Sequence, residues 1–435
     1  MSKKIIKINH LAKMEGHASF EGRILAGEIS EAHIITEEGA RLIEGTLIGR
    51  HYSEAPTITS RICGICPIVH HLTAVKALEE CFEVKVSSEV VMLRKILELA
   101  QIIHSHALHL FFLSLPDFLN YDDTKKMAGR YPNEAQMAID IRKWATDLCL
   151  AIGGRITHPL TNMVGGFRRW PEEEKLENFL DGSGDILEMA LKIAQLFRDL
   201  DYPKFDNLGN FIALSNDNEY AIYDGEVKVW ETKKNLAKKI FGKEMKNYEA
   251  VKFIKLIKEV ELQNEMVKRV KFKRKPFFCG ALARININKY LLNEEASKFL
   301  ETTNIDFPSS NTFYNVLAQA VELIHCIEEI RNLLRELKKI NWLNAKNASF
   351  KIKAGKGVGA IEAPRGTLYH YYETDKDGYI KNCNIITPTA QFLAKLEDDL
   401  GVFLGDIKNL TDLERRNKIK MMIRAFDPCI SCATH

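Results

Sequence analysis

Cys63 and Cys66 form a C-x-x-C pair, and Cys429 and Cys432 form another at the far end of the chain. Two intervening residues let both thiolates of a pair face one metal, because a turn after the first cysteine brings the second back. Gly64 makes that turn permissive at the first pair, and Pro67 fixes its exit. Two such pairs make a tetrathiolate site suited to zinc, iron or another soft metal. Zinc ribbons place their pairs ~15–20 residues apart, whereas 429 − 66 leaves 363 positions here. Closing so long a loop costs entropy that grows only logarithmically, but a staple for a small module does not need it. Spacing alone leaves a structural zinc, a thiol redox couple and a central catalytic metal open.

The neighbours of the pairs add to the chemistry. Arg61, His70 and His71 flank the first, and Asp427 and His435 flank the second; the His and Arg among them supply the donors that buried metal thiolates want. His70 stands one helical turn beyond Cys66, a spacing at which its ring can donate to that sulfur. The other cysteines (Cys81, Cys149, Cys279, Cys326 and Cys383) are scattered singly and read as small buried hydrophobes. An odd total of nine argues against a disulfide framework.

The elements that must position these residues read as α+β: mainly α, a central bundle of long helices with smaller, peripheral β parts. Residues 1–40 alternate as strands, with turn glycines expected at Gly22 and Gly27. Apolar residues at Val90, Leu93, Ile96, Leu97, Ala100, Ile103 and Leu108 recur at three and four, predicting a helix from about 84 that Pro116 stops. Further helices are expected near 133–152, 174–199, 248–269 and 312–339. The stretch 349–388 returns to strand and turn, with a hairpin at Asp377-Gly378. Thr411 and Glu414 predict a capping box opening a last helix, which Asp427-Pro428 ends. At 435 residues the chain has about three domains' worth of length at ~150 each. It is nevertheless expected to form one domain over 1–435. Within it, 1–60 is a strand region, 61–200 a helical core with the first pair, 201–300 a peripheral segment, and 301–435 the helix, hairpin and second pair. The Lys-rich part of the peripheral segment, 233–275, reads as solvated surface.

Composition excludes other classes. With 46% apolar and 27% charged residues, the chain can bury a large core and is not disordered. A net charge of +3 is too small for a nucleic-acid or membrane-surface protein defined by its field. No window approaches ~18 uninterrupted apolar residues, so no membrane span is expected. The start, MSKKIIKINHLAK, lacks the apolar core and cleavage site of a secretory signal, which points to the cytoplasm.

Six ordered segments together resemble one family. "RICGICPIVHH" (61–71) and "DPCISCATH" (427–435) are similar to the two signature motifs of the large, catalytic subunit of nickel–iron hydrogenases. "KMEGHASFEG" (13–22), "RLIEGTLIGR" (41–50), "GVGAIEAPRGTLYH" (357–370) and "NIITPTA" (384–390) resemble its other anchors, so the resemblance covers essentially the whole chain. It implies the hydrogenase large-subunit fold and heterolytic cleavage of H2. It assigns Cys63, Cys66, Cys429 and Cys432 to nickel, with Cys66 and Cys432 bridging to an iron that carries carbon monoxide and cyanide. Glu15 matches the glutamate that takes protons from Cys429. Glu44, His435 and the carbonyl of Ile385 match a magnesium site. Arg365 matches a guanidinium over the open metal position, beside Pro364; Thr389 matches a cyanide-binding hydroxyl, and His70 a donor to a bridging thiolate. A glutamate in a mostly apolar site suits a proton relay, because desolvation raises its pKa toward neutrality.

"IIHSHALHLFFLSLPDF" (102–118), "GGRITHPLTNMVGGF" (153–167) and "CGALARININ" (279–288) resemble the soluble, bidirectional, NAD(P)-linked or sulfhydrogenase-type group. Lys13 replaces an arginine, Val164 a frequent proline, and Ser105 an aspartate of the membrane-bound enzymes, which leaves the partner of Arg365 open. The chain has no ferredoxin-like cysteine cluster of its own, so electrons must pass to an iron–sulfur small subunit. Flavin- and NAD(P)-binding diaphorase subunits, nickel-insertion factors and a maturation endopeptidase are the further partners implied, with no nucleic acid. In the family, cleavage after the motif's histidine closes the site, so the end at His435 reads as the mature form. The alternatives are a structural zinc protein, which leaves Glu15, Glu44 and Arg365 unexplained, and a relative of the quinone-site subunit of respiratory complex I, which lacks the cysteine pairs.

Overall fold

Four long helices, Ser88–Leu108, Pro132–Gly153, Glu173–Arg198 and Asn315–Lys339, pack against one another at the centre of the molecule. The computed structural model describes residues 3–25, 28–232, 244–263, 265–340 and 342–435. Helix accounts for about 51% and strand for 19%, an α+β protein as expected. Pro132 opens its helix, where a missing N–H costs nothing, and Gly154 closes it at φ 76.

Ser88–Leu108 buries Val90, Leu93, Ile96, Leu97, Ala100 and Ile103, the stripe read from the sequence, but Leu99 and Ile102 on other faces are buried too. Pro116 does not stop this run. The helix widens into a π-helical stretch at His109–Ser114 and continues as Leu115–Phe118, where Pro116 sits in a first turn and breaks no bond. The whole run Ser88–Phe118 is long and apolar enough to cross a membrane by length and composition, although polar residues interrupt it. Its apolar window is 83% buried inside the protein, which accounts for that composition.

The late sheet, Gly355–Ala363, Gly366–Thr374 and Ile380–Ile386, is an antiparallel meander. Its first strand lies directly on the helix Pro67–Cys81. A Cβ on Gly355, Gly357 or Gly359 would stand 2.0, 2.1 and 2.3 Å from the carbonyl oxygens of Cys81, Ala77 and Thr73. Alternate glycines on one strand face thus match every fourth residue of the helix. Ala363 pairs with Gly366, so Pro364 and Arg365 form a two-residue turn. The hairpin at Asp377-Gly378 is present, with Gly378 at φ 85.

The N-terminal sheet pairs Lys3–Ile8, Ala18–Leu25 and Glu28–Thr36. Gly22 is not in a turn: it pairs with Ile6 and Ala32 in mid-strand, and a Cβ there would meet Leu404 at 3.1 Å. Close packing on the helix Pro388–Asp406, rather than turn geometry, explains that glycine. Gly27 lies outside the described residues.

The segment 201–300 departs most from expectation. It holds a four-stranded sheet, ordered Phe277–Phe278, Asn210–Ser215, Glu226–Glu231, Glu244–Tyr248, whose strand Asn210–Ser215 is buried throughout. It is therefore not peripheral as a whole. No helix spans 248–269 either; a single turn, Ala250–Phe253, precedes the paired strands Ile257–Val260 and Arg269–Phe272. The apolar spacing there mimics a helix, but the buried guanidinium of Arg269 reaches Glu397, Glu265 and the Ile34 carbonyl and fixes the strand instead. Residues 233–243 of the Lys-rich stretch lie outside the described residues. Thr411 and Glu414 form both arms of the capping box on Asp412–Ala425, and Asp427 turns left-handed, φ 54, before Pro428.

Candidate metal centre

Cys66 caps the N-terminus of Pro67–Cys81, and Cys429 that of the short helix Ile430–Ala433. The four thiols converge: Cys63 Sγ lies 3.5 Å from Cys429 Sγ, Cys66 Sγ 3.2 Å from Cys432 Sγ, and all four sulfurs lie within 4.8 Å of one another, buried. All nine cysteines are free. The N-terminal segment closes the site from the other side. Glu15 and Cys429 form a parallel backbone bridge, Ile430 N donates to the Glu15 carbonyl at 3.1 Å, and Cys429 Sγ lies 3.0 Å from Glu15 Oε2. Ser431 holds the carboxylate in place, its N–H on Oε2 at 3.0 Å and its hydroxyl on Oε1.

The donor set asks for a cation. Hydrogen bonds from the other thiols hold Cys63 well below the ordinary thiol range, aided by Arg365. Burial and the charge on Cys63 push Cys429 well up, and the neighbouring thiols raise Cys432. Such a cluster cannot lose all four protons unless a metal ion neutralises it. Four buried sulfurs at mutual contact therefore fit a soft, thiolate-bound metal.

Arg365 stands over this cluster on the hairpin turn. Its Nε donates to the Asp427 carbonyl at 2.7 Å, one terminal nitrogen to Asp427 Oδ1 at 2.8 Å, and the other to Ser105 Oγ at 3.4 Å. Asp427, next to the second pair, is thus its carboxylate partner. Burial pulls the guanidinium's pKa down, but Asp427 and the facing thiolates outweigh it and raise it well above the usual value. A small cavity lies between Pro364, Arg365, Thr389, His70 and the sulfurs of Cys66, Cys429 and Cys432. Thr389 Oγ1 accepts the Cys429 N–H at 3.0 Å, leaving its own proton free to donate.

His70 does not face Cys66 as the one-turn spacing suggests. Its Nε2 lies 3.8 Å from Cys432 Sγ, because its Nδ1 is drawn to His370 Nε2 at 3.2 Å. His370 Nδ1 in turn lies 3.0 Å from the Tyr372 hydroxyl. Burial pushes His70 down to about 3, so it is neutral. With neutral rings and Cys432 as a metal-bound thiolate, which can only accept, the chain runs one way: Tyr372 donates to His370, His370 to His70, and His70 to Cys432.

A second cluster lies behind the second pair. His435 Nδ1 is 2.7 Å from the Cys432 carbonyl and Nε2 is 2.8 Å from the Ile385 carbonyl, while Glu44 Oε1 accepts the Ile385 N–H at 2.7 Å and lies 3.9 Å from Nε2. A neutral imidazole can donate to only one carbonyl. Donation to Cys432 leaves the Nε2 lone pair, the Ile385 oxygen and the Glu44 carboxylate facing one another, a donor set that suits a hard cation.

Sequence reasoning missed the residues that bind the cysteine loops to the body. Gln101 donates to the Ile65 carbonyl at 2.7 Å and accepts from Ile68 N at 3.2 Å. Arg41 bridges the two pairs, donating to the Ile62 carbonyl at 2.6 Å and to the Ser431 carbonyl. Nothing in local pattern marks either; only their proximity to motifs does. Lys13 pairs with Asp117 at 2.7 Å, and Arg424 pairs with the same carboxylate. A cleft of about 740 Å³ opens beside Gly64 and Ile65, lined further by His104, Phe112, Ile139 and Arg142.

A family model described as nickel-dependent hydrogenase matches residues 41–148 and 196–435. The alpha subunit of sulfhydrogenase 2 from Pyrococcus furiosus is 31% identical over 435 positions, covering 99% of each chain. The alpha subunit of sulfhydrogenase 1 from the same organism is 32% identical over 434 positions, covering 99% of this chain and 97% of that one. Among solved structures, an NAD+-reducing [NiFe]-hydrogenase in the H2-reduced state superposes with a TM-score of 0.88 at 26% identity, covering 99% of both chains.

Proposed function

Because the chain belongs to the nickel-dependent hydrogenase family as a large, catalytic subunit, we propose that Cys63, Cys66, Cys429 and Cys432 hold a nickel–iron pair, with Cys66 and Cys432 shared by both metals. The reading rests chiefly on one observation: a cluster of four buried thiols carries a glutamate carboxylate on one of its sulfurs. When bound, the metal pair would supply the Lewis acid that polarises H2 and takes up its electrons.

The residues of this chain handle the proton. Cys429 Sγ receives it and passes it to Glu15 Oε2, 3.0 Å away, while Ser431 keeps the carboxylate aimed. Arg365, anchored on Asp427, is a fixed positive charge above the pocket rather than a base. The cavity lined by Cys66, Cys432, Pro364, Arg365 and Thr389 would house the iron's carbon monoxide and cyanide, with the Thr389 hydroxyl and the Pro364–Arg365 turn as the polar wall they would meet. Glu44, the Ile385 carbonyl and His435, which lie together behind the second pair, would hold magnesium.

Electrons leave through a small subunit; the iron–sulfur chain, its docking over the cleft beside Gly64, and onward delivery through flavin-binding diaphorase subunits to NAD(P) or a related soluble acceptor belong to the same proposal. So do a cytoplasmic location and assembly by nickel-insertion factors and a maturation endopeptidase. The test is infrared spectroscopy with metal analysis on the native complex. Bands of metal-bound carbon monoxide and cyanide with equimolar nickel and iron are expected. Zinc alone, without such bands, would replace this reading with a structural tetrathiolate.

A further inference from the structure

The segment Cys279–Asn288 carries no group that touches the thiols, yet it is moulded against the turn that does. We infer that Arg284 is a positioning residue, which sets the Pro364–Arg365 turn over the metal pocket by gripping its backbone from behind. The inference rests on the reading of that turn as the pocket's wall.

Arg284 is fully buried and all five of its N–H groups are used. Nε and one terminal nitrogen donate to the two oxygens of Glu322 at 2.6 and 2.7 Å; that terminal nitrogen also donates to the Pro364 carbonyl at 3.0 Å. The other donates to Glu362 Oε2 at 2.8 Å and the Ala363 carbonyl at 2.9 Å. Both carboxylates are fixed in turn. Glu322 accepts from the Tyr220 hydroxyl at 2.6 Å and faces His106 Nε2 at 2.9 Å; Glu362 accepts from Leu214 N and the Thr367 hydroxyl, each at 2.7 Å.

The contact surface leaves no slack. Gly280, at φ 116, would bring a Cβ within 3.1 Å of the Arg365 carbonyl, and Gly366, at φ 133, would bring one within 2.6 Å of Cys279 Sγ. The two carbonyls Arg284 grips precede Arg365 directly, so a tilt there swings the guanidinium across the cavity. A planar fork of donors suits this task and an ammonium does not.

The experiment compares R284K with R94K in the purified complex. Arg94 is an equally buried cation, bidentate on Glu79 at 2.8 Å, and touches no residue of the pocket. R284K is expected to retain nickel and iron, to shift the carbon monoxide and cyanide bands, and to lower H/D exchange about tenfold or more, as misplacement of a positioned group does. R94K is expected to leave the bands in place. Should R284K fail to accumulate, T367V, which removes one bond from Glu362, is expected to shift the bands in the same direction by less. Unmoved bands in R284K, or in T367V where R284K is lost, overturn the inference, as do shifts no larger than in R94K. Absence of the bands from the unmodified complex would instead overturn the metal assignment beneath it.

Discussion

Replacing Glu15 by glutamine isolates proton transfer from architecture. The carboxylate has three contacts to preserve: Ser431 N and Cys429 Sγ on Oε2, and the Ser431 hydroxyl on Oε1. A glutamine oxygen still accepts from Ser431, whose hydroxyl can turn to accept from the new amide, and the Glu15 main chain keeps its bond to Ile430 N at 3.1 Å. The site should therefore assemble with full metal content and unshifted infrared bands. What is lost is the carboxylate oxygen that accepts the proton from Cys429. General acid–base groups contribute roughly 10²–10⁴-fold, so H2 oxidation and H/D exchange should fall by at least about a hundredfold, about 2.7 kcal/mol in barrier. Near-normal exchange in a fully loaded Glu15→Gln complex would refute the route from Cys429 through Glu15.

Three further outcomes follow from the same geometry. Glu44→Gln or removal of His435 should weaken nickel retention by about 10–100-fold, read as nickel content after long dialysis with chelator; full retention in both would disprove the clasp. Gly359→Ala places a Cβ 2.3 Å from the Thr73 carbonyl and should cost at least ~1–3 kcal/mol, whereas Gly401→Ala, in open space on a helix, should stabilise by about 0.5–1 kcal/mol; thermal midpoints moving the same way would contradict the packing argument. Burial pushes His71, His104 and His325 each down to about 4, against ~6.5 in the unfolded chain. The unfolded state therefore binds more protons in that window, and stability falls as pH drops through it, by up to ~4 kcal/mol per pH unit near pH 5. Equal thermal midpoints at pH 7 and pH 5 would count against this.

The helices that could be read from the sequence are those whose own periodicity matches their burial, such as Glu173–Arg198, which buries Ile186, Leu187, Ala190, Ile193, Ala194 and Phe197. The capping box and the Asp377-Gly378 hairpin are local signals and survived folding for that reason. Failures occurred where a distant partner decided the outcome. Spacing along 248–269 imitates a helix, but Arg269 is committed to Glu397 on another element. Gly22 answers to Leu404, and His70 to His370 rather than to the cysteine four residues before it. The motif resemblance named the residues gathered around the thiols and quoted the segments that carry Arg41 and Arg284, yet it assigned no role to these or to Gln101, because their partners lie on segments distant in the chain.

The bridge between Glu15 and Cys429 also gives the site a schedule. Translation at ~5–20 residues per second delivers Cys66 roughly 20–70 s before Cys429, since 429 − 66 is 363 residues. During that interval the helix Pro67–Cys81, the glycine-faced strand and the Arg365 turn can all settle, while the first pair of thiols has no second pair and Glu15 has no backbone to bridge. The half-built centre is a bidentate thiol, open on the side that Ile430 and Ser431 later cover. Arrival of Cys429 to Cys432 thus completes the four-thiol set and supplies the backbone that Glu15 bridges.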